Sequence, residues 1–244
     1  MTEHADEGLR ASVAEVAAAP APTARVFGID AGTLRSVAIL PGAFNPPTRA
    51  HVELARAASA HGFDAVLFSL GIRTIDKEDA AGLSTVERLE ILLRLCRTKA
   101  RLGVALQNRG LYLEQAEAIG SVLPSRCEIT FVVGMDKVPQ IFDSRYYENV
   151  ETALATLFAR ARLMVAARAD LDRDALARWL EETHAKPHAE RLGWLELDPR
   201  WRTISATAVR ERLARGEIPG EWLPPEVVSF LETRLTAFSA AHRA

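Results

Sequence analysis

The chain has 244 residues, 48% of them hydrophobic, which is the length and apolar content of one large domain or of one domain with an extension. A formal net charge of −2 leaves no basic footprint for nucleic acid or an anionic membrane, and no apolar run is long enough to span a bilayer. The two cysteines, Cys96 and Cys127, make neither a disulfide framework nor a metal cluster, and a reducing cytoplasm suits them.

In chain order, residues 1–35 read as an N-terminal extension, in part rich in Ala and Pro, with a helix-like patch from Glu7 to Val16. The acids Glu3, Asp6, Glu7 and Glu15 argue against an organelle transit peptide. A mobile arm, a lid and an oligomer contact all remain open for this segment. A domain is expected over residues 36–240. It opens with Ser36-Val37-Ala38-Ile39-Leu40, a buried strand by its continuous apolar character, which breaks at Pro41-Gly42 and crosses Asn45-Pro46-Pro47. The chain then enters a helix predicted over 49–61, with Thr48 and His51 at its start and, three apart, on one face. The unpaired N–H groups and the dipole of a helix N-terminus favour an anion, and a hydroxyl and an imidazole add donors there. The reading is a phosphate site.

Beyond it, strands are predicted at 65–70, 103–107, 128–134, 161–167 and 194–198, and helices near 84–99, 111–122, 148–158, 172–184, 207–215 and 225–238. Runs such as Ile129-Thr130-Phe131-Val132-Val133 and Leu163-Met164-Val165-Ala166 suit a sheet covered on both faces. Strands separated by helices imply right-handed crossovers, hence an α/β chain with a doubly wound, mostly parallel sheet and helices on both faces. Ligands of such sheets sit beyond the carboxyl ends of the strands, where the strand order reverses, so the loop 41–48 is well placed.

A second cluster comes late: Ile204-Ser205-Ala206-Thr207-Ala208-Val209-Arg210. Ser205 and Thr207 read as capping residues and Arg210 as projecting from the first turn that follows, which makes a second anion cradle. His184 and His188 are spaced as metal ligands could be, but Pro187 between them and the absence of a nearby Glu or third ligand favour a surface pair.

The early stretch resembles the opening motif of the nucleotidylyltransferase superfamily, Gly-x-Phe-x-Pro-x-(His/Thr)-x-x-His, with Gly42, Phe44, Pro46, Thr48 and His51 on the pattern. Within the superfamily it is similar to the nicotinamide or nicotinate mononucleotide adenylyltransferases, though Ala50 stands where many bacterial members have Gly. The late cluster resembles the closing motif Ile-Ser-Ser-Thr-x-x-Arg, with Ala206 in place of the second Ser. Gly134-Met135-Asp136 resembles a Gly-x-Asp element, and Trp222 to Leu231 resembles the final helix.

The resemblance implies a Rossmann-like fold and transfer of AMP from ATP, with Mg²⁺, to a mononucleotide, releasing pyrophosphate, in NAD synthesis. It implies His51, Thr48 and Arg210 as catalytic residues: His51 at the α-phosphate, Thr48 orienting phosphate, Arg210 with Ser205 and Thr207 on the β and γ phosphates. Gly42, Ala43, Phe44, Gly134, Asp136 and Ile204 complete the implied ATP site. Asn45, Arg88, Phe142, Tyr146 and Arg168 are the implied acceptor residues, and no metal ligand comes from the protein. Deamido-type bacterial members have a tryptophan downstream of the Gly-x-Asp glycine; here Phe142 or Tyr146 would supply the stacking face. The expected partners are ATP and a small phosphorylated acceptor, without nucleic acid or membrane, and a homo-oligomer is left open. Three alternatives stand beside this: the same transfer onto another phosphate acceptor, a nucleotide-binding regulator that has lost turnover through changes such as Ala50 and Ala206, and a metal-dependent hydrolase using His184 and His188, against which Pro187 and the missing third ligand argue.

Overall fold

The computed structural model describes residues 3–72, 82–183 and 185–241. The strands are β1 (Ala24–Phe27), β2 (Ser36–Gly42), β3 (Ala65–Gly71), β4 (Leu102–Gln107), β5 (Glu128–Gly134), β6 (Ala161–Ala166) and β7 (Leu192–Leu195). The helices are α1 (Glu3–Ala18), α2 (Arg49–Ser59), α3 (Thr85–Cys96), α4 (Tyr112–Gly120), α5 (Val138–Ile141), α6 (Val150–Arg160), α7 (Arg173–Glu182), α8 (Pro199–Arg202), α9 (Ala206–Ala214) and α10 (Pro225–Ala241).

The strands form one sheet in the order β1-β4-β3-β2-β5-β6-β7, parallel throughout except that β1 runs antiparallel to β4. From β2 the chain winds outward through β3 and β4, then returns to pair β5 with the other side of β2 and winds outward again. The order therefore reverses between β2 and β5. Alternation along each strand splits the core into two layers. Val37, Ile39, Leu67, Phe131 and Val133 face α4, α6 and α7. Ala38, Leu40, Val66, Phe68 and Leu106 face α2, α3, α9 and α10. Both faces are covered, so β3 is buried from end to end and reads in sequence as an unbroken apolar run with one hydroxyl, Ser69.

Local chemistry sets the helix ends. Ser84 and Glu87 form a capping box on α3: the Ser84 N–H donates to the Glu87 carboxylate (2.7 Å) and the Glu87 N–H to Ser84 Oγ (3.3 Å). Asp172 accepts from the Ala175 N–H (2.9 Å) at the start of α7. The last strand is shorter and earlier than the expected 194–198, because Asp198 caps α8 and Pro199 begins it.

Residues 1–35, expected as an extension, contribute two elements to this body. β1 pairs with β4 from Ala24↔Gln107 to Phe27↔Val104, and α1 lies against α3 with Val16 only 2% exposed. A four-residue edge strand whose partner lies some eighty positions on offers little periodicity to read. Among the described residues no helix is long and apolar enough to cross a membrane.

Candidate functional site

The first corner follows β2. A Cβ on Gly42 would lie 2.8 Å from the Phe44 ring, so only glycine lets that ring fold back over the strand end. Phe44 turns with φ 48°, is buried, and meets His51 edge-on at 5.1 Å and Phe68 at 5.5 Å. Asn45 is pinned inward, its Oδ1 accepting from the Leu83 N–H (2.9 Å). At the start of α2 the Thr48 N–H donates to His51 Nδ1 (3.0 Å), and Thr48 Oγ1 lies 2.9 Å from the same nitrogen. A backbone N–H can only donate, so Nδ1 is the acceptor and the proton of the neutral ring sits on Nε2.

The second corner begins α9. Ser205 caps the helix, its Oγ accepting from the Ala208 N–H (3.1 Å), and Thr207 Oγ1 accepts from Arg210 Nη2 (3.1 Å). Arg210 Nη1 donates to the Asn45 carbonyl (2.9 Å) across 165 positions of sequence. The two corners are therefore one place. Two further contacts hold them there: the Arg49 N–H donates to the Trp222 carbonyl (2.8 Å) and Arg49 Nε to the Leu223 carbonyl (3.0 Å).

Beside the corners, at the carboxyl ends of β2, β3 and β4 and the turn after β5, lies a cavity of about 640 Å³. Its lining includes Gly42, Ser69, Gln107, Tyr112, Asp136 and Tyr146. Ser69 Oγ donates to Gln115 Oε1 (3.2 Å), and Gln115 Nε2 donates to the Gly110 carbonyl (2.8 Å). Burial, with the Asp136 carboxylate as a lesser cause, pushes the Tyr112 phenol above its ordinary range. Burial first and then the Asp143 charge push Tyr147 up to about 12. Both phenols are thus neutral hydroxyls at physiological pH. At the end of β5, a side chain on Gly134 would collide with the Asp136 carboxylate, which folds back over that glycine.

No protein-family model and no curated protein sequence matches the chain. Solved structures do. The structure of Plasmodium falciparum nicotinic acid mononucleotide adenylyltransferase complexed with NaAD matches with a TM-score of 0.60 at 13% identity, over 82% of this chain and 95% of that one. The same enzyme complexed with APC matches with a TM-score of 0.59 at 12% identity, over the same shares, 82% and 95%. The chain shares the fold of these two structures.

On that fold Gly42, Ala43, Phe44, His51, Ser205, Thr207 and Arg210 lie at the joined corners, with Gly134 and Asp136 at the end of β5. Several implied roles change. Thr48 is 0% exposed and its hydroxyl is used on His51, so it positions the imidazole rather than orienting phosphate. The buried Asn45 side chain serves Leu83 rather than an acceptor. Phe142 is 1% exposed and packs on Phe158 and Trp179, so it offers no stacking face; Tyr146 does line the cavity.

The two arginines turn inward as well. Arg168 Nη1 donates to the carbonyls of Arg202 (2.8 Å) and Ile204 (2.9 Å), which anchors the approach to α9 onto the end of β6. Arg88 donates to the Ala43 carbonyl (2.9 Å) and to Thr85 Oγ1 (2.8 Å), and burial lowers its pKa. It braces the first loop from behind. His184 lies outside the described residues, and His188 stacks on Phe158 with centroids 4.8 Å apart.

The cavity residues Ser69, Gln107, Tyr112 and Gln115 were not among the expected ones. Ser69 and Gln107 carried a signal: each is a polar residue near the carboxyl end of an otherwise apolar strand.

Proposed function

We propose that this chain is an adenylyltransferase that joins the AMP moiety of ATP to nicotinate or nicotinamide mononucleotide, releasing pyrophosphate, in NAD synthesis. The observation that supports it most is the hydrogen bond from Arg210 to the Asn45 carbonyl, which brings the N-termini of α2 and α9 together beside the strand-order reversal. Two helix N-termini, a guanidinium and an imidazole whose Nε2 carries the proton form a donor set for a polyphosphate. The neighbouring cavity has room for a second, mononucleotide-sized ligand.

In the reaction an oxygen of the acceptor 5′-phosphate attacks the α-phosphorus of ATP in line. The bond from the α-phosphorus to the oxygen bridging it to the β-phosphorus breaks, and that oxygen leaves with pyrophosphate. No protein nucleophile takes part, so catalysis is positioning and stabilisation of charge on the phosphate oxygens. His51 Nε2–H donates to the α-phosphate, held in direction by Thr48. Arg210, Ser205, Thr207 and the free N–H groups of α9 hold the β and γ phosphates. Mg²⁺ carried in on the nucleotide would belong to the substrate and would offset the charge of its phosphates. The donors at the corners are hydroxyls and cations, which suit phosphate oxygens rather than a protein cage for the ion. The two unlinked cysteines suit a reducing cytoplasm.

The test is pyrophosphate release by the purified protein from ATP and Mg²⁺ with a panel of acceptors: both pyridine mononucleotides, a phosphopantetheine and several phosphosugars. Release with a pyridine mononucleotide, and formation of the dinucleotide, is the expected result. Release only with another acceptor reassigns the substrate, and ATP binding without release on any acceptor overturns the proposal in favour of a regulator.

A further inference from the structure

The loop from Gln107 to Leu111 forms one wall of the 640 Å³ cavity, and its outer side is fastened to the segment linking α1 to β1. Asn108, 1% exposed, commits its whole side chain to that segment. Its Oδ1 accepts from the Thr23 N–H (2.9 Å), and its Nδ2 donates to the carbonyls of Ala19 (2.9 Å) and Ala21 (3.0 Å). Its backbone N–H donates to the Thr23 carbonyl (3.3 Å). The next residue, Arg109, faces the cavity, donates from Nη2 to the Pro20 carbonyl and pairs with Glu114 (3.8 Å).

Arg109 and Gly110 also border a separate cavity of about 410 Å³ whose far side is Ala17 to Pro20, so this loop is a partition with the linker behind it. The linker is itself anchored at both ends, by Val16 in the core and by the pairing of β1 with β4. A buried amide satisfied at three points by one short stretch holds that stretch and its own loop in a single relative position.

We propose that residues 19–23 brace the Gln107–Leu111 wall through Asn108 and Arg109, and that this brace sets the affinity of the cavity for the acceptor mononucleotide. Asn108 is a positioning residue: it stands outside the lining of the larger cavity and acts through its neighbours. The inference rests on the reading that this cavity takes the acceptor. A wall free to shift by about 1 Å loses the contacts that a preorganised site makes without cost.

The test is Asn108→Ala in the full chain, read by amide hydrogen exchange over residues 107–111 and by steady-state kinetics with each substrate varied in turn. Faster exchange at 107–111, with the acceptor KM raised about tenfold and kcat and the ATP KM within about twofold, is the expected result. Unchanged exchange overturns the brace. So does a parallel loss in all kinetic constants, which would mark general loosening. Should Asn108→Ala fail to fold, Asn108→Asp keeps the acceptor for Thr23 and removes the two donors; an acceptor KM raised about threefold supports the brace, and no change opposes it. If the unaltered protein transfers AMP to no mononucleotide, the acceptor reading fails on that result alone, and the exchange data still decide for or against the brace.

Discussion

Where the N-termini of α2 and α9 meet, the donors come from two short stretches of sequence, each starting a helix; the adjoining cavity is walled by residues from the ends of three strands, from the turns after β4 and β5 and from α4. At the helix N-termini, the backbone supplies much of the chemistry and a few side chains refine it. Around the cavity the strand backbone is committed to the sheet, and the polar side chains lining it include Ser69 and Gln107 from strands, Tyr112 and Gln115 from α4, and Tyr146 from the segment after β5. The first arrangement is general for polyphosphates. The second is where a particular acceptor can be chosen.

If that division holds, the largest loss comes from His51. His51→Ala should lower turnover at least ~10²-fold, as for removal of one charge-stabilising donor, with the protein still folded but its unfolding midpoint lowered, because the Thr48 N–H loses its acceptor. A variant that turns over at the parent rate would remove His51 from the chemistry. Next is Arg210→Ala, expected to weaken ATP binding by about 10- to 100-fold in calorimetry, as for loss of a charge-assisted hydrogen bond, with acceptor binding little changed. Equal losses for both ligands would erase the boundary between the two regions. Ser69→Ala should do the reverse, raising the acceptor KM about fivefold with the ATP KM constant.

The smallest effect concerns Tyr147, whose hydroxyl donates to the Ile141 carbonyl (2.8 Å) at the cavity edge. Its pKa is raised from 10.0 to about 12, mainly by burial, so the folded state favours the neutral phenol. That contribution to stability is complete below pH 10 and is lost as pH rises towards about 12. Tyr147→Phe should therefore lose less stability than the parent across that window in denaturant titrations at stepped pH. Identical pH profiles would show that the phenol does not contribute.

The same division explains what could be read from the chain alone. The sheet followed from apolar runs alternating with helical periods, because both faces are covered. The two corners followed because Gly42 to His51 and Ile204 to Arg210 are each contiguous, with hydroxyl, imidazole or guanidinium at fixed distances from a helix start. β1 escaped because four residues offer almost no alternation, and the cavity escaped because its polar side chains come from β3, β4, α4 and the segment after β5 with no shared spacing. Phe142 and Arg168 misled for a related reason: a residue's place in a motif does not give the direction of its side chain. Phe142 faces Phe158 and Trp179, and Arg168 is spent on the carbonyls of Arg202 and Ile204.

Two corners distant in sequence are proposed to grip one triphosphate. A crystal structure with a non-hydrolysable ATP analogue and Mg²⁺ tests it most directly. The account predicts the α-phosphate within hydrogen-bonding distance of His51 Nε2 and the β and γ phosphates on Arg210 and the start of α9. Phosphates bound away from either residue, with the two corners closed on each other, would contradict it.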